Sequence, residues 1–416
     1  MTTDRYPSGR VADDGPDSRL AWRRLVITTI IATIGGVGMW SVPVTLPAVQ
    51  EEFGIARGAA SLPYTLTMFG FAAGGVLLGR MVDRFGVMLP VIAGALLMGI
   101  GYILASQAGG LWTYAIAQGL FVGIGTSAFF GPLMADTSHW FERHRGIAVA
   151  ICASGNYLAG AIWPIVIQYG VATIGWRVTY LGVCMVCVGL IVPLAWMIRH
   201  PPPQHGFHAD TGFVRRAPPS LGISPGTLQV ILCVAGIACC VAMSMPQVHI
   251  VAYCGDLGYG VARGAEMLSL MLAFGIISRI TSGVIADRIG GVGTLLLGSA
   301  LQGVALVLYF LFDGLASLYI ISALFGLFQG GIVPSYAIIV REYFTPQEAG
   351  TRIGYVIMAT ILGMALGGWM SGVIFDLTGS YRAAFANGIA WNLLNVAIAL
   401  WLLMRGRGAG ARLAAA

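Results

Sequence analysis

An arginine at position 279 stands inside the apolar run "LAFGIISRITSGVIADRIG", from Leu272 to Gly290. Its guanidinium stays protonated and presents a planar fork, so it is suited to two-pronged capture of a carboxylate. Burying such a charge at membrane depth costs about 2.5–3.5 kcal/mol on insertion scales, so a charge kept there has a use. One competing use is snorkelling, because Asp287 follows roughly 12 Å along a helix and a long side chain reaches towards an interface. Another is pairing with a structural carboxylate. The helical face favours a site. Gly275, Ser282, Gly283 and Ala286 lie three, four and seven residues away and form a small-residue stripe. Such a stripe suits helix contact or a cavity rather than lipid. On this reading Arg279 supplies the only fixed positive charge at membrane depth, and an anionic substrate neutralises it.

Other residues could join it. His249 titrates near neutral pH and is the candidate for carrying a proton. It shares a helical face with Tyr253, which suggests a helix end wetted from outside, and a hydrogen-bonded structural histidine is the alternative. Asn156 and Tyr157 follow Gly155; a buried amide there bonds substrate or bridges helices. Tyr336 and Tyr64 are further substrate-contact candidates, with interfacial anchoring as the other reading. The sequence offers no nucleophile–base set on a common face and no cofactor motif. The seven cysteines sit in or beside apolar segments without metal-ligand spacing to histidines, and read as packing residues. No enzyme activity, metal or cofactor is expected.

Such residues work only if membrane helices position them. Of 416 residues, 57% are hydrophobic and 10% charged, against about 25% charged in soluble domains. Apolar runs long enough to span a bilayer recur throughout. They fall near 24–49, 60–82, 87–107, 111–138, 145–171 and 177–198, then near 226–254, 263–285, 291–312, 315–340, 350–375 and 382–404. The expected fold is an all-α integral membrane protein of 12 transmembrane helices in two parallel six-helix halves. Its parts are a cytoplasmic tail (1–22), a first half (23–199), a cytoplasmic linker (200–224), a second half (225–404) and a cytoplasmic tail (405–416). The polar start "MTTDRYPSGRVADDGPDSRL" lacks the apolar core of a cleavable signal peptide. Three consecutive prolines from Pro201 end any helix at the linker.

All 23 basic residues are arginine. With the N-terminus inside, 18 lie on the cytoplasmic side, only Arg57, Arg177, Arg263 and Arg382 lie outside, and Arg279 is within the membrane. This bias places both termini in the cytoplasm. The basic residues are dispersed, which argues against nucleic acid. "GRMVDRFG" (Gly79–Gly86) repeats as "GVIADRIG" (Gly283–Gly290), an offset of 204. "SVP" (Ser41–Pro43) and "SMP" (Ser244–Pro246), and "GWR" (Gly175–Arg177) and "SYR" (Ser380–Arg382), recur at nearly the same offset. A six-helix unit is therefore duplicated, and because six is even the copies are parallel.

Two six-helix halves with an Asp-Arg-x-Gly loop after the second helix of each resemble the major facilitator superfamily. The loop residues are Gly79, Asp83, Arg84 and Gly86, and Gly283, Asp287, Arg288 and Gly290. The resemblance implies that they gate the transport cycle. "LPAVQEEFG" (Leu46–Gly54), "WFERHRGIAVAICASG" (Trp140–Gly155), "HIVAYCGDLGYG" (His249–Gly260) and "ISRITSGVIADRIG" resemble the monocarboxylate-porter branch and the oxalate/formate antiporter-like proteins beside it. That branch carries a functional arginine where Arg279 stands. The acid that some members place four residues earlier is Gly275 here, a first-helix lysine is replaced by Val44, and a helix-four tyrosine by Phe130. The resemblance implies a secondary active transporter for a small organic anion such as a monocarboxylate, working by alternating access in the inner or plasma membrane. A proton is the candidate co-substrate, no nucleic acid is bound, and the protein is expected to work as a monomer. Anion exchange and drug or metabolite export are the alternatives. A transport-dead receptor is more remote, because the short tails offer no signalling domain.

Overall fold

In a computed structural model of the chain, residues 15–200 and 221–414 are described. The N-terminal 14 residues and most of the proline-rich linker lie outside that set. Helices α1 (Arg19–Phe53), α2 (Arg57–Phe85), α3 (Met88–Ser106), α4 (Leu111–Trp140), α5 (Arg145–Ile174) and α6 (Trp176–Met197) form the first half. The second comprises α7 (Pro225–Asp256), α8 (261–289), α9 (291–311), α10 (Leu315–Tyr343), α11 (Pro346–Thr378) and α12 (Tyr381–Ala414). Helices α8 and α9 run on as one 51-residue helix broken only at Gly290, where φ is 75° and ψ 171°. Counting that break, the eleven long apolar helices among the described residues provide twelve segments long enough to cross a bilayer. Apolar side chains all round and backbone bonds satisfied within each helix are what a bilayer requires. Two starts are capped: the Ser18 and Ser224 hydroxyls accept the amides of Ala21 and Thr227 at 3.2 and 3.1 Å.

Several elements depart from the sequence expectation. α1 begins at Arg19, inside the stretch assigned to a tail, and is interrupted at Gly36. α12 continues past the expected end at 404 as far as Ala414. α4 is not one regular helix. It widens into a π-helix over Ala117–Gly123 and breaks again before Gly131.

The chain alternates between two faces. The terminal face carries the start of α1, the end of α12 and the α2–α3, α4–α5, α8–α9 and α10–α11 turns. The end of α6 and the start of α7 also lie at the terminal face, beside Arg24 and Arg405, and the opposite face carries the α1–α2, α3–α4, α5–α6, α7–α8, α9–α10 and α11–α12 turns. The duplication is visible in the backbone. Gly54 and Gly258, Gly86 and Gly290, and Gly175 and Gly379 all have positive φ, and the members of each pair are 204 residues apart. These turns need the conformation that a side chain disfavours.

The halves meet through α2 against α11, α5 against α8 and α1 against α7. Towards the opposite face this packing is close. A β-carbon at Gly58 would stand 2.8 Å from Val373, and one at Gly372 2.8 Å from Ser61. Towards the terminal face, positions Gly75 and Gly79 of α2 and Gly350 and Gly354 of α11 have no atom within 4 Å of where a β-carbon would stand. The bundle is closed at the opposite face and parted at the terminal one.

Candidate functional site

Arg279 lies where α8 crosses α5. Its guanidinium carbon stands 4.6 Å from the centre of the Tyr157 ring, and Nη1 donates to the Ala153 carbonyl at 3.3 Å. The Nε–H is buried and bonds to nothing among the described residues. No carboxylate of the described residues pairs with this arginine. Gly275, one turn back, is what lets the tyrosine in. A β-carbon there would stand 2.4 Å from Cε1 of Tyr157. The small-residue stripe read from the sequence is therefore the seat of an aromatic ring on which the cation rests, an arrangement worth about 0.5–2 kcal/mol. A short further stretch of the stripe seats α10, since Ser282 faces Gly331 at 2.2 Å from a β-carbon built there.

The structure brings Tyr157 and Arg279 together and spreads the other candidates. Asn156 turns to α1. Its backbone carbonyl accepts the Trp40 indole N–H at 3.3 Å, and its side-chain Oδ1 is buried without a partner. Tyr64 is buried between the halves, among Val42, Leu46, Val248 and Ala365. Tyr336 is fully buried inside the second half, where its hydroxyl donates to Asn395 Oδ1 at 2.9 Å. That bond commits it to holding α10 against α12. His249 corrects the expectation of a wetted helix end: it is 0% exposed. Its Nε2 bonds the Gly368 carbonyl at 2.8 Å and its Nδ1 the Tyr381 hydroxyl at 3.1 Å. A carbonyl only accepts, so Nε2 carries the hydrogen, and a neutral Nδ1 accepts from Tyr381.

Nor is Arg279 the only arginine within the bundle. Arg24 is bound in two-pronged fashion to Asp136, at 2.8 and 2.9 Å, with both side chains about 95% buried. Arg57 is bound to Asp256 in the same way at the opposite face. What sets Arg279 apart is that the other two have carboxylate partners. Neither pair is legible in the sequence, because their members lie 112 and 199 residues apart.

The sequence profile described as Major Facilitator Superfamily matches residues 28–317 and 267–415. The chain belongs to that superfamily. It is 28% identical to monocarboxylate transporter 13 of Bos taurus over 346 residues, covering 81% of this chain and 78% of the relative. It is 24% identical to the MFS-type transporter pynF of Aspergillus niger over 314 residues, covering 75% and 71%. Its fold is similar to that of a bacterial homologue of the human lysosomal transporter Spinster, solved in an inward-facing, unoccupied conformation. The TM-score is 0.70 at 14% identity, with 94% and 97% of the two chains covered.

In this major facilitator the two repeated loops lie at the parted face. Arg84, Asp287 and Arg288 are exposed and form no ion pair among the described residues, and the Asp83 side chain lies outside that set. Gly79 and Gly283 face open space. Gly86 and Gly290 make the turns. Glu342 at the end of α10 accepts the Gly291 amide at 2.9 Å, which ties the second loop to its own half. Asp17, just before α1, accepts the amides of Glu142, Arg143 and His144 at 2.9–3.2 Å and so ties α1 to the α4–α5 turn.

Proposed function

We propose that this membrane transporter carries a small organic anion, a monocarboxylate, by alternating access, and that Arg279 binds the carboxylate. One observation carries the reading. Arg279 is a half-buried cation between the halves that has an aromatic seat and a spare buried N–H, and lacks a carboxylate partner among the described residues. A cation partly withdrawn from water without a counter-ion is costly, and an arriving carboxylate supplies one. The likeness to monocarboxylate transporter 13 supports the same substrate class. Tyr157 holds the fork, and the unpartnered Asn156 Oδ1 is the nearby polar group for a substrate hydroxyl. Tyr64 lines the path between the halves. Tyr336 serves the site by fixing α10. The repeated loops gate the terminal face, which the arginine bias makes cytoplasmic in an inner or plasma membrane, and one chain holds both halves of the path.

Uptake with a proton is the leading mode, through His249 once the opposite face opens and frees its ring; anion exchange is the alternative. The test is lactate binding and uptake by purified protein in proteoliposomes with an internal pH dye. Arg279→Ala should lose about ten- to a hundredfold in lactate affinity while its melting temperature holds, the value of a charge-assisted hydrogen bond. Arg279→Lys should be nearly as poor, because an ammonium lacks the fork. Lactate binding by Arg279→Ala equal to that of the parent protein rules the reading out. Acidification of the lumen with uptake marks symport; uptake only into lactate-loaded vesicles marks exchange.

A further inference from the structure

The ion pair at the opposite face is built like a ligand site. Arg57 offers Nη1 and Nη2 side by side to the two carboxylate oxygens of Asp256, at 3.0 and 3.1 Å. Its other donors are fixed by the wall. Nη1 also donates to the Tyr381 hydroxyl at 2.6 Å, and Nε donates to Gln50 Oε1 at 2.5 Å. The Phe375 ring lies 4.8 Å from the guanidinium carbon. Asp376, the other acid here, is already engaged by the backbone amides of Arg57 and Gly58 at 2.8 and 2.7 Å.

The two members of the pair differ in one respect. The Arg57 side chain is 8% exposed and that of Asp256 is 36%. The cation belongs to the wall, and the anion approaches it from the solvent side. Arg57 and Gln50 are in the first half, whereas Asp256, Tyr381 and Phe375 are in the second. When the opposite face opens, Asp256 leaves with its half and the fork stays with Gln50 at the mouth.

We propose that Arg57 is a second carboxylate-binding site, at the mouth on the opposite face, which Asp256 fills in the closed state as a built-in stand-in for a small monocarboxylate. Replacing one carboxylate by another keeps the fork bonded throughout, so no unpaired buried charge is exposed on the way. A substrate arriving from that face thereby releases the contact that holds the face shut. This inference rests on the carboxylate reading of the transporter, but it concerns a different arginine and is tested apart from it.

Acetate binding to the full-length purified protein is measured by calorimetry in an Arg279→Ala background, which silences the central site. Arg279→Ala alone should bind acetate weakly, because Asp256 competes for Arg57. Adding Asp256→Ala should tighten binding about tenfold or more, and adding Arg57→Gln to that protein should abolish the gain. Asp256→Asn, which keeps the side chain's shape, is the second variant should Asp256→Ala not fold; melting temperatures identify the folded proteins. The proposal is overturned if a folded Asp256 variant shows no gain, or if the gain survives Arg57→Gln. Should Arg279→Ala already bind acetate as the parent does, the central reading fails, and dependence on Arg57 still decides this one.

Discussion

At the scale of the residue, the pair Tyr157 and Gly275 determines how Arg279 is presented. The ring occupies the volume that any side chain at 275 would need. Gly275→Val should push Tyr157 off the face of α8 and free the fork to bend towards the Ala153 carbonyl. The expected result is a rise in KM for lactate of about tenfold with little change in the amount of folded protein in the membrane, since overpacking at one such contact costs about 1–3 kcal/mol. Removing the ring with Tyr157→Ala in the parent protein should raise KM to a similar degree, because the fork loses the same seat. Unchanged KM in Gly275→Val shows that the ring does not position the arginine. Arg279 and its glycine were legible from the sequence, because a lone charge in an apolar run and a small residue four positions away are local signals. The aromatic seat was not: Tyr157 is 122 positions away in the chain and meets Gly275 only when α5 crosses α8.

At the scale of the element, the Asp17 carboxylate is the clearest case of a charge acting on backbone. Burial pushes this carboxyl up, but the amides of Arg143, Glu142 and His144 together with the His144 ring outweigh it and hold the group below its usual range. A carboxyl whose folded value is depressed contributes stability above its ordinary pKa and loses it as the pH falls through the folded value. The tie between α1 and the α4–α5 turn should therefore be constant from pH 7 to about 5 and weaken below about 4. Asp17→Asn should reproduce the weakened state at pH 7. Hydrogen exchange, corrected for intrinsic rates, at the amides of residues 142–144 is the readout, and equal protection in Asp17→Asn refutes the role. Periodicity and hydropathy predicted these elements because lipid-exposed helices must be apolar all round. They did not reveal the π-turn in α4, since a wide turn is set by packing of Gly119 and Gly123 against Leu66 and Thr67 of α2 rather than by composition. Nor could hydropathy predict that α1 starts early, at a serine cap followed by Arg23 and Arg24, where a buried Asp136 receives the second arginine.

At the scale of the whole molecule, the closed opposite face and the parted terminal face fix which positions are reachable in this state. A cysteine at Gly79 or Gly354 in a cysteine-free protein should react with an impermeant maleimide added from the terminal side, and one at Gly58 or Gly372 should not react from either side. With the topology proposed above, the reactive pair labels in inverted membranes and not in intact cells; labelling of Gly79→Cys from outside intact cells sinks that orientation. Cross-linking of Gly79→Cys to Gly354→Cys, slow in the apo protein, should quicken when lactate drives the terminal face shut. The parallel halves followed from the sequence because the offset of 204 recurs at several helix ends. Which face is closed did not, because both states of a rocking bundle use the same sequence and the same helices.

The duplication also gives Arg279 a counterpart by position. Two hundred and four residues earlier the chain has Gly75, whose missing side chain would meet nothing. The two halves are thus related in backbone and unlike in charge at this pair of positions. On the proposed reading, the path has a cation at Arg279 and none at its counterpart Gly75, and a monocarboxylate, polar at one end only, lies with its acid group towards the second half. Gly75→Arg would make the path cationic on both walls. Such a protein should favour a molecule with an acid at each end, and competition between succinate and lactate should move towards succinate by about tenfold or more, one charge-assisted contact being worth that much. Moving the charge, by combining Gly75→Arg with Arg279→Ala, should restore monocarboxylate binding with the molecule turned end for end.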